Sequence, residues 1–78
     1  MNVDPRLAKD MKEWVEYSTA PLSRLVGTVP ILSTNIGWVD WAYNLIQLPE
    51  IQKFSPPDPR YFNNWQEWAF RFNQAVPL

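Results

Sequence analysis

Residues 38–43 read WVDWAY and residues 65–70 read WQEWAF, so one pattern of two tryptophans, an acid and an alanine occurs twice. These stretches hold four of the five tryptophans in a chain of 78 residues. Their offset is 27 residues, and a further step of 27 towards the N-terminus reaches Trp14, which also follows an acid. Trp14, Trp41 and Trp68 are therefore evenly spaced, which suggests three helices around an aromatic core.

The repeated pattern fits an amphipathic helix. At about 100° per residue, both tryptophans and the following alanine fall on one side, and the acid falls on the opposite side. The sequence leaves open whether the spacing reflects a true duplication. The predicted core and anchor residues are Trp14, Trp38, Trp41, Trp65, Trp68 and Phe72.

The first predicted helix begins after Asp4, because aspartate is a good N-cap and proline at position 5 suits the first helical position. Its apolar stripe recurs at helical spacing and stops before Pro21, which gives a helix over about residues 5–17. The stripe consists of Leu7, Met11, Trp14 and Val15.

The second predicted helix covers about residues 36–48, and Pro49 closes it. Residues 33–35 are its candidate caps, and its apolar stripe includes both tryptophans of the first quoted motif. Those residues are Ser33, Thr34 and Asn35 for the caps, and Trp38, Trp41, Ala42, Leu45 and Leu48 for the stripe.

The third predicted helix covers about residues 59–75, because residues 58–59 repeat the aspartate and proline of the first helix start. Asn63 or Asn64 is an alternative cap, and Asn64 forms a capping pair with Glu67 three residues later. The predicted stripe is Tyr61, Trp65, Trp68, Ala69, Phe72 and Val76.

The connections between the helices contain prolines and are predicted to be extended linkers. An edge strand within residues 27–34 is left open, and residues 50–57 are read as a linker anchored by Ile51 and Phe54. We therefore predict an all-α fold of three short amphipathic helices. We predict that residues 1–78 contain no separate domains and form either a single small helical domain or an extended interaction protein.

The composition argues against catalysis. Histidine and cysteine are absent, which removes the commonest proton shuttle, metal ligand and thiol nucleophile. The seven basic residues are scattered among eight acidic ones, so there is no basic patch for nucleic acid. We predict no enzyme activity, no cofactor, no metal site and no nucleic-acid partner.

Membrane attachment is disfavoured. Residues 25–49 carry one charge, Asp40, but prolines and polar residues interrupt them, and no run of about 18 apolar residues exists. Interfacial helices usually carry lysine or arginine on the polar face, and residues 36–48 have neither. The N-terminus lacks a secretory signal pattern, so we expect the protein to stay where it is made or to travel with its partners.

A second apolar face is the remaining feature of the repeat. Tyr43 and Phe70 hold matching places, about 140° around the helix from the leading tryptophan, on the polar side. Such aromatic residues either contact a partner or are covered by the linkers. The predicted partner-contact residues are Val39, Tyr43, Ile46 and Phe70.

A chain of this size hides only about 60–65% of the surface that its unfolded form exposes. Twelve of its residues are tryptophan, tyrosine or phenylalanine, each with about 150–250 Å² to bury. We therefore expect the chain to complete its burial against a protein partner, and a homo-oligomer is left open.

The last third of the chain, with a Pro-Pro-Asp-Pro run at 56–59 followed by Trp-Gln-Glu-Trp-Ala at 65–69, resembles small accessory virion proteins of tailed bacteriophages. The resemblance implies a viral structural protein bound to a capsid, portal or tail. The resemblance implies that the protein is located in the virion, and in the host cytoplasm during assembly. If the protein is not a virion component, we expect it to be cytoplasmic. The alternatives are a phage-encoded inhibitor of a host enzyme and a peripheral membrane-surface protein.

Overall fold

The computed structural model describes residues 3–33 and 35–78, and their regular structure is entirely helical. No strand occurs among them, so the predicted all-α class is confirmed. Two short 3₁₀ turns precede the first and last helices, and we call them the first turn (Pro5–Leu7) and the second turn (Pro59–Tyr61). The helices are α1 (Met11–Val26), α2 (Trp38–Ile46), α3 (Pro49–Gln52) and α4 (Trp65–Ala75).

The three longer helices share one register along the chain. α1, α2 and α4 begin at residues 11, 38 and 65, which are 27 residues apart, and the evenly spaced tryptophan is the fourth residue of each. The chain is thus built from three units with the same 27-residue offset. We call residues 3–29 the first unit, 30–56 the second unit and 57–78 the third unit.

Each unit holds its tryptophan in the same way. The indole Nε1–H of Trp14, Trp41 and Trp68 donates to the backbone carbonyl eleven residues earlier, at 2.9, 2.8 and 2.9 Å respectively. A buried indole needs such an acceptor, because a buried N–H without a partner destabilises the fold. The three acceptors belong to Val3, Pro30 and Pro57.

The three indoles meet at the centre of the molecule. Trp14 lies 6.3 Å from Trp41 and 6.0 Å from Trp68 between ring centroids, and Trp41 lies 6.4 Å from Trp68. All three pairs are edge-to-face, with interplanar angles of 82–88°. This is the arrangement that aromatic quadrupoles favour, and all three side chains are fully buried. The core therefore has approximate three-fold symmetry.

The units close into a ring. α2 packs against the second turn and α4 packs against the first turn, so the helix of one unit contacts the start of the next. We call the α2 contact the second seam and the α4 contact, which returns to the first unit, the closing seam. Asn73 of α4 donates to the Val3 carbonyl at 2.7 Å across this closing seam. The radius of gyration is 11.1 Å, close to the roughly 11.5 Å of a compact domain of this length.

The predicted first helix at 5–17 is wrong at both ends. The Asp4 carboxylate caps the first turn rather than an α-helix, and α1 begins after Asp10, whose side chain accepts from the Glu13 N–H at 2.9 Å. α1 then continues through Pro21 to Val26. The burial of Leu22 ties this last part of α1 to the core, which explains why the proline does not end it.

The second predicted helix is close to α2 but longer than it. α2 begins after Gly37, which is its N-cap residue and makes no side-chain cap bond. The predicted caps Ser33 and Asn35 are therefore wrong, and Thr34 lies outside the described residues. Pro49 starts the short helix α3, in a segment that the sequence predicted to be a linker.

The third predicted helix, 59–75, divides into the second turn and α4. Asn64 caps α4 by accepting from the Glu67 N–H at 2.9 Å, which is the alternative that the sequence offered. Leu7 and Tyr61 were predicted to belong to apolar core stripes, but both lie on 3₁₀ turns and are 77% and 85% exposed. The turns break the helical spacing on which that prediction rested.

Candidate protein-binding surface

Tyr43 and its neighbours on α2 line the second seam. The guanidinium of Arg60 lies over the Tyr43 ring, 5.0 Å from its centroid, and the ring remains 36% exposed. Val39 is half-buried, and Ile46 is only 7% exposed because it faces the core. Of the predicted contact residues on α2, Tyr43 thus presents the most side-chain surface, and it is already stacked with an arginine of the same chain.

Phe70 lies on α4 at the closing seam and is 45% exposed. It lines clefts with Pro5 and Arg6 of the first turn. Tyr43 and Phe70 therefore hold equivalent places in their units but face different turns. The ring of units separates them, which the sequence alone could not show.

The predicted anchor residues form two groups. Trp14, Trp41, Trp68 and Phe72 are fully buried. Trp38 and Trp65 are half-buried, and each packs against a central indole at 6.4 Å between ring centroids.

Three connected clefts surround the first turn. The cleft on its α4 side has a volume of about 450 Å³, the cleft on its α1 side has about 420 Å³, and a smaller one of about 240 Å³ joins them through shared residues. We call this region the first-turn surface. Its apolar residues include Leu7, Tyr17, Pro21, Phe62 and Phe70, and its cations are Arg6, Arg24 and Arg71.

The first-turn surface combines exposed apolar groups with guanidinium groups. Leu7 is 77% exposed and Tyr17 is 53% exposed, and with Phe70 they are three of the six large apolar side chains exposed in the described residues. All the cations that line its clefts are arginines, whereas the acids there are Asp4 and Glu67. The surface is therefore apolar with a small excess of positive charge, on a chain whose net charge is −1.

Arg6 is fixed in position by Asp4. Its Nη2 donates to Oδ2 at 2.8 Å and its Nε donates to Oδ1 at 3.1 Å, while its backbone N–H donates to Oδ1 at 2.9 Å. The side-chain hydrogen bonds from Arg6 lower the pKa of Asp4 and raise the pKa of Arg6. The guanidinium still has 76% of its side-chain surface exposed, so it is oriented without being covered.

Tyr17 presents two polar groups next to its ring. Repulsion from the Glu13 carboxylate, together with partial burial and a side-chain hydrogen bond to Glu13, raises the pKa of the Tyr17 phenol. In addition, the proline at position 21 has no N–H, so the Tyr17 carbonyl lacks its usual helical donor. Tyr17 and Pro21 both line the α1-side cleft.

A comparison with the second turn shows which features occur only at the first turn. Asp58 and Arg60 form the same fork, with Nη2 to Oδ2 at 2.6 Å, but Arg60 also stacks on Tyr43. The place that Tyr17 occupies beside the first turn is held by Arg71 in the third unit. The symmetry of the core is thus broken at the surface, and the exposed leucine and tyrosine are found together only in the first unit.

The described residues contain no group of three side chains that could hold a metal ion. The hydroxyl of Ser18 is buried and lacks a hydrogen-bond partner, yet it faces the core and no base is present to activate it. None of the helices in the described ranges has the length and apolar character needed to cross a bilayer.

Sequence reasoning missed Leu7, Tyr17 and the arginines of the first-turn surface. The sequence does show that Leu7 and Tyr61 hold matching places just after an Asp-Pro-Arg segment, but it does not show that either side chain is exposed. No signal in the sequence shows that the closing seam brings Phe70 to the same turn, because the residues are more than 60 apart in the chain.

Comparison with protein families, with curated proteins and with solved structures found no match to this chain. Its function therefore has to be inferred from the surface described above.

Proposed function

We propose that this chain is a non-enzymatic protein-binding module and that its partner docks on the first-turn surface. The observation that supports this most directly is the exposure of Leu7, Tyr17 and Phe70 around one 3₁₀ turn. Stable domains rarely leave apolar side chains grouped in this way unless they contact another molecule.

The chemistry of the surface defines the partner. Tyrosine, phenylalanine and arginine are enriched at the centres of protein interfaces, and lysine is depleted there. The clefts of the first-turn surface are lined by three arginines and no lysine. The matching partner surface carries one or two apolar side chains that enter the clefts and carboxylates that pair with Arg24 and Arg71.

The larger setting that we propose is a structural accessory component of a virus particle. Support for this setting comes from the resemblance of the Pro-Pro-Asp-Pro and Trp-Gln-Glu-Trp-Ala segments to small virion proteins of tailed bacteriophages. In such a role the rigid indole core keeps the surface in one shape, so the partner binds a preformed site at a low entropic cost.

The experiment uses particles purified from cells that make the protein. Density-gradient sedimentation and quantitative mass spectrometry would measure its copy number per particle, which we expect to be fixed. The double variant Leu7→Ala with Tyr17→Ala should lower that copy number at least about tenfold, as expected for loss of interface anchors. Tyr61→Ala is the matched control, because Tyr61 is equally exposed but lies on the second turn.

Absence of the protein from particles would contradict the virion setting. Unchanged copy number in the double variant would contradict the role of the first-turn surface. Urea unfolding of each variant shows whether a lower copy number reflects lost contacts or lost stability.

A further inference from the structure

The two linkers between units differ in how they turn. After α1, the left-handed position is held by Gly27, at φ 81°, where the absence of a Cβ makes this conformation accessible. After α3, Ser55 has φ 54°, and no other non-glycine residue in the described part of the chain has a positive φ. The second linker is therefore strained at a residue where the first is not.

One hydrogen bond holds Ser55 in this conformation, and the proline that follows disfavours it. The Ser55 N–H donates to the Gln52 carbonyl at 3.0 Å, which ends the last turn of α3. Pro56 follows directly, and a residue before proline prefers the extended region. An extended segment over residues 53–56 would therefore suit both Ser55 and Pro56 better than the observed turn does.

The third unit is attached to the rest of the molecule by this one strained linker. It meets the first unit without covalent continuity, through α4, the first turn and the bond from Asn73 to the Val3 carbonyl. Its buried side chains include Trp68 and Phe72, which complete the indole core. All of these contacts could be made equally by the third unit of a second copy.

We propose that two copies of the chain exchange their third units, residues 57–78, when the linker opens at Ser55. Each half of the resulting dimer keeps the three-indole core and both seams, and only residues 53–56 change conformation. The exchange is reciprocal, so the dimer has two-fold symmetry and closes without leaving an exposed seam. Short linkers under strain favour this kind of exchange. The inference is independent of the first-turn surface.

The test measures the monomer–dimer equilibrium of the full chain by light scattering after refolding at several concentrations. Ser55→Gly removes the strain of the monomer and should lower the dimerisation constant at least about thirtyfold, since the strain acts once in each of two chains. Ser55→Pro should raise it, because proline fixes φ near −65° and cannot form the turn. Ser33→Gly is the matched control in the first linker, and it should leave the constant unchanged.

Exchange also predicts that an isolated dimer persists after dilution, because separation requires the third units to unfold from their partner. A dimer that forms through surface contacts would instead dissociate during the column run. Rapid dissociation, or equal constants for the wild-type chain and Ser55→Gly, would overturn the proposal. If Ser55→Pro fails to fold, the dimerisation constants of the wild-type chain, Ser55→Gly and Ser33→Gly still test the proposal.

Discussion

The first and third units share an Asp-Pro-Arg turn and a side-chain helix cap, and the second unit has neither. Asp10 and Asn64 cap α1 and α4, whereas α2 begins after Gly37, and residues 31–33 of the second unit read Ile-Leu-Ser. Yet Trp41 donates to its carbonyl acceptor at 2.8 Å, as closely as the other two central tryptophans do.

This comparison distinguishes the features that all three units share from those that only two units have. The buried indole with its backbone acceptor occurs in every unit, so it specifies the ring of units. The turn and the cap occur in two units out of three, so they add local stability and give the chain its surface features. Substitution of a central tryptophan should therefore change the free energy of unfolding more than substitution of a cap residue.

The largest effect is expected at the shared tryptophan. Trp68→Ala should lower the free energy of unfolding by about 3–5 kcal/mol, because it leaves a large cavity and removes ring contacts with three indoles. Such a loss is comparable to the whole stability of a small domain. Urea unfolding followed by circular dichroism measures it. Trp65→Ala, in the same helix but half-buried, is the control, and an equal loss there would contradict the central role of Trp68.

A smaller loss is expected at the cap of α4. Asn64→Ala should lower the free energy of unfolding by about 1 kcal/mol, since the Glu67 N–H loses its acceptor. The neighbouring Asn63→Ala makes the same chemical change outside the cap and should have little effect. Thermal unfolding of both variants checks the difference, and similar melting temperatures would show that the cap is not a source of stability.

The first unit carries a polar residue where the others have apolar ones. Ser18 lies at the place of Leu45 and Phe72, and its buried hydroxyl lacks a hydrogen-bond partner. Ser18→Ala should therefore raise the free energy of unfolding by up to about 1 kcal/mol. Chemical denaturation would show the gain. Ser23→Ala serves as the control, because the Ser23 hydroxyl donates to the Ala20 carbonyl; a loss of stability in Ser18→Ala would mean that the hydroxyl has a partner.

The smallest effect is expected where the second unit lacks a cap. Gly37 has φ −71° and ψ 162°, an N-cap conformation that any residue adopts, and a Cβ there would meet no atom within 4 Å. Gly37→Asn should raise the free energy of unfolding by a few tenths of a kcal/mol by giving α2 the cap of the other units. Differential scanning calorimetry resolves such a shift. The same substitution at Gly27, where φ is positive, should bring no such gain, and an equal gain there would contradict the capping explanation.

Much of the fold was predictable because its signals are local. The spacing of Trp14, Trp41 and Trp68 located the three helices, and Asn64 with Glu67 identified a true cap. The first helix was placed too early because Asp4 and Pro5 suit the start of a 3₁₀ turn as well as that of an α-helix. Its extension through Pro21 depends on the burial of Leu22, which is a tertiary effect.

The candidate site was less predictable. Phe70 was identified from its place on the polar side of α4, and the structure puts it at the first-turn surface. Leu7 and Tyr17 were not identified, because nothing local distinguishes an exposed apolar residue on a turn from one in a core stripe.

The sequence by itself determined the number of units, their 27-residue register and the indoles at their centre, because helical spacing and side-chain chemistry are properties of neighbouring residues. Only the tertiary structure decided that the units close into a ring, that α4 returns to the first turn and that Ser55 turns with a positive φ. These features depend on contacts between residues far apart in the chain, and such contacts form only when the three indoles pack together.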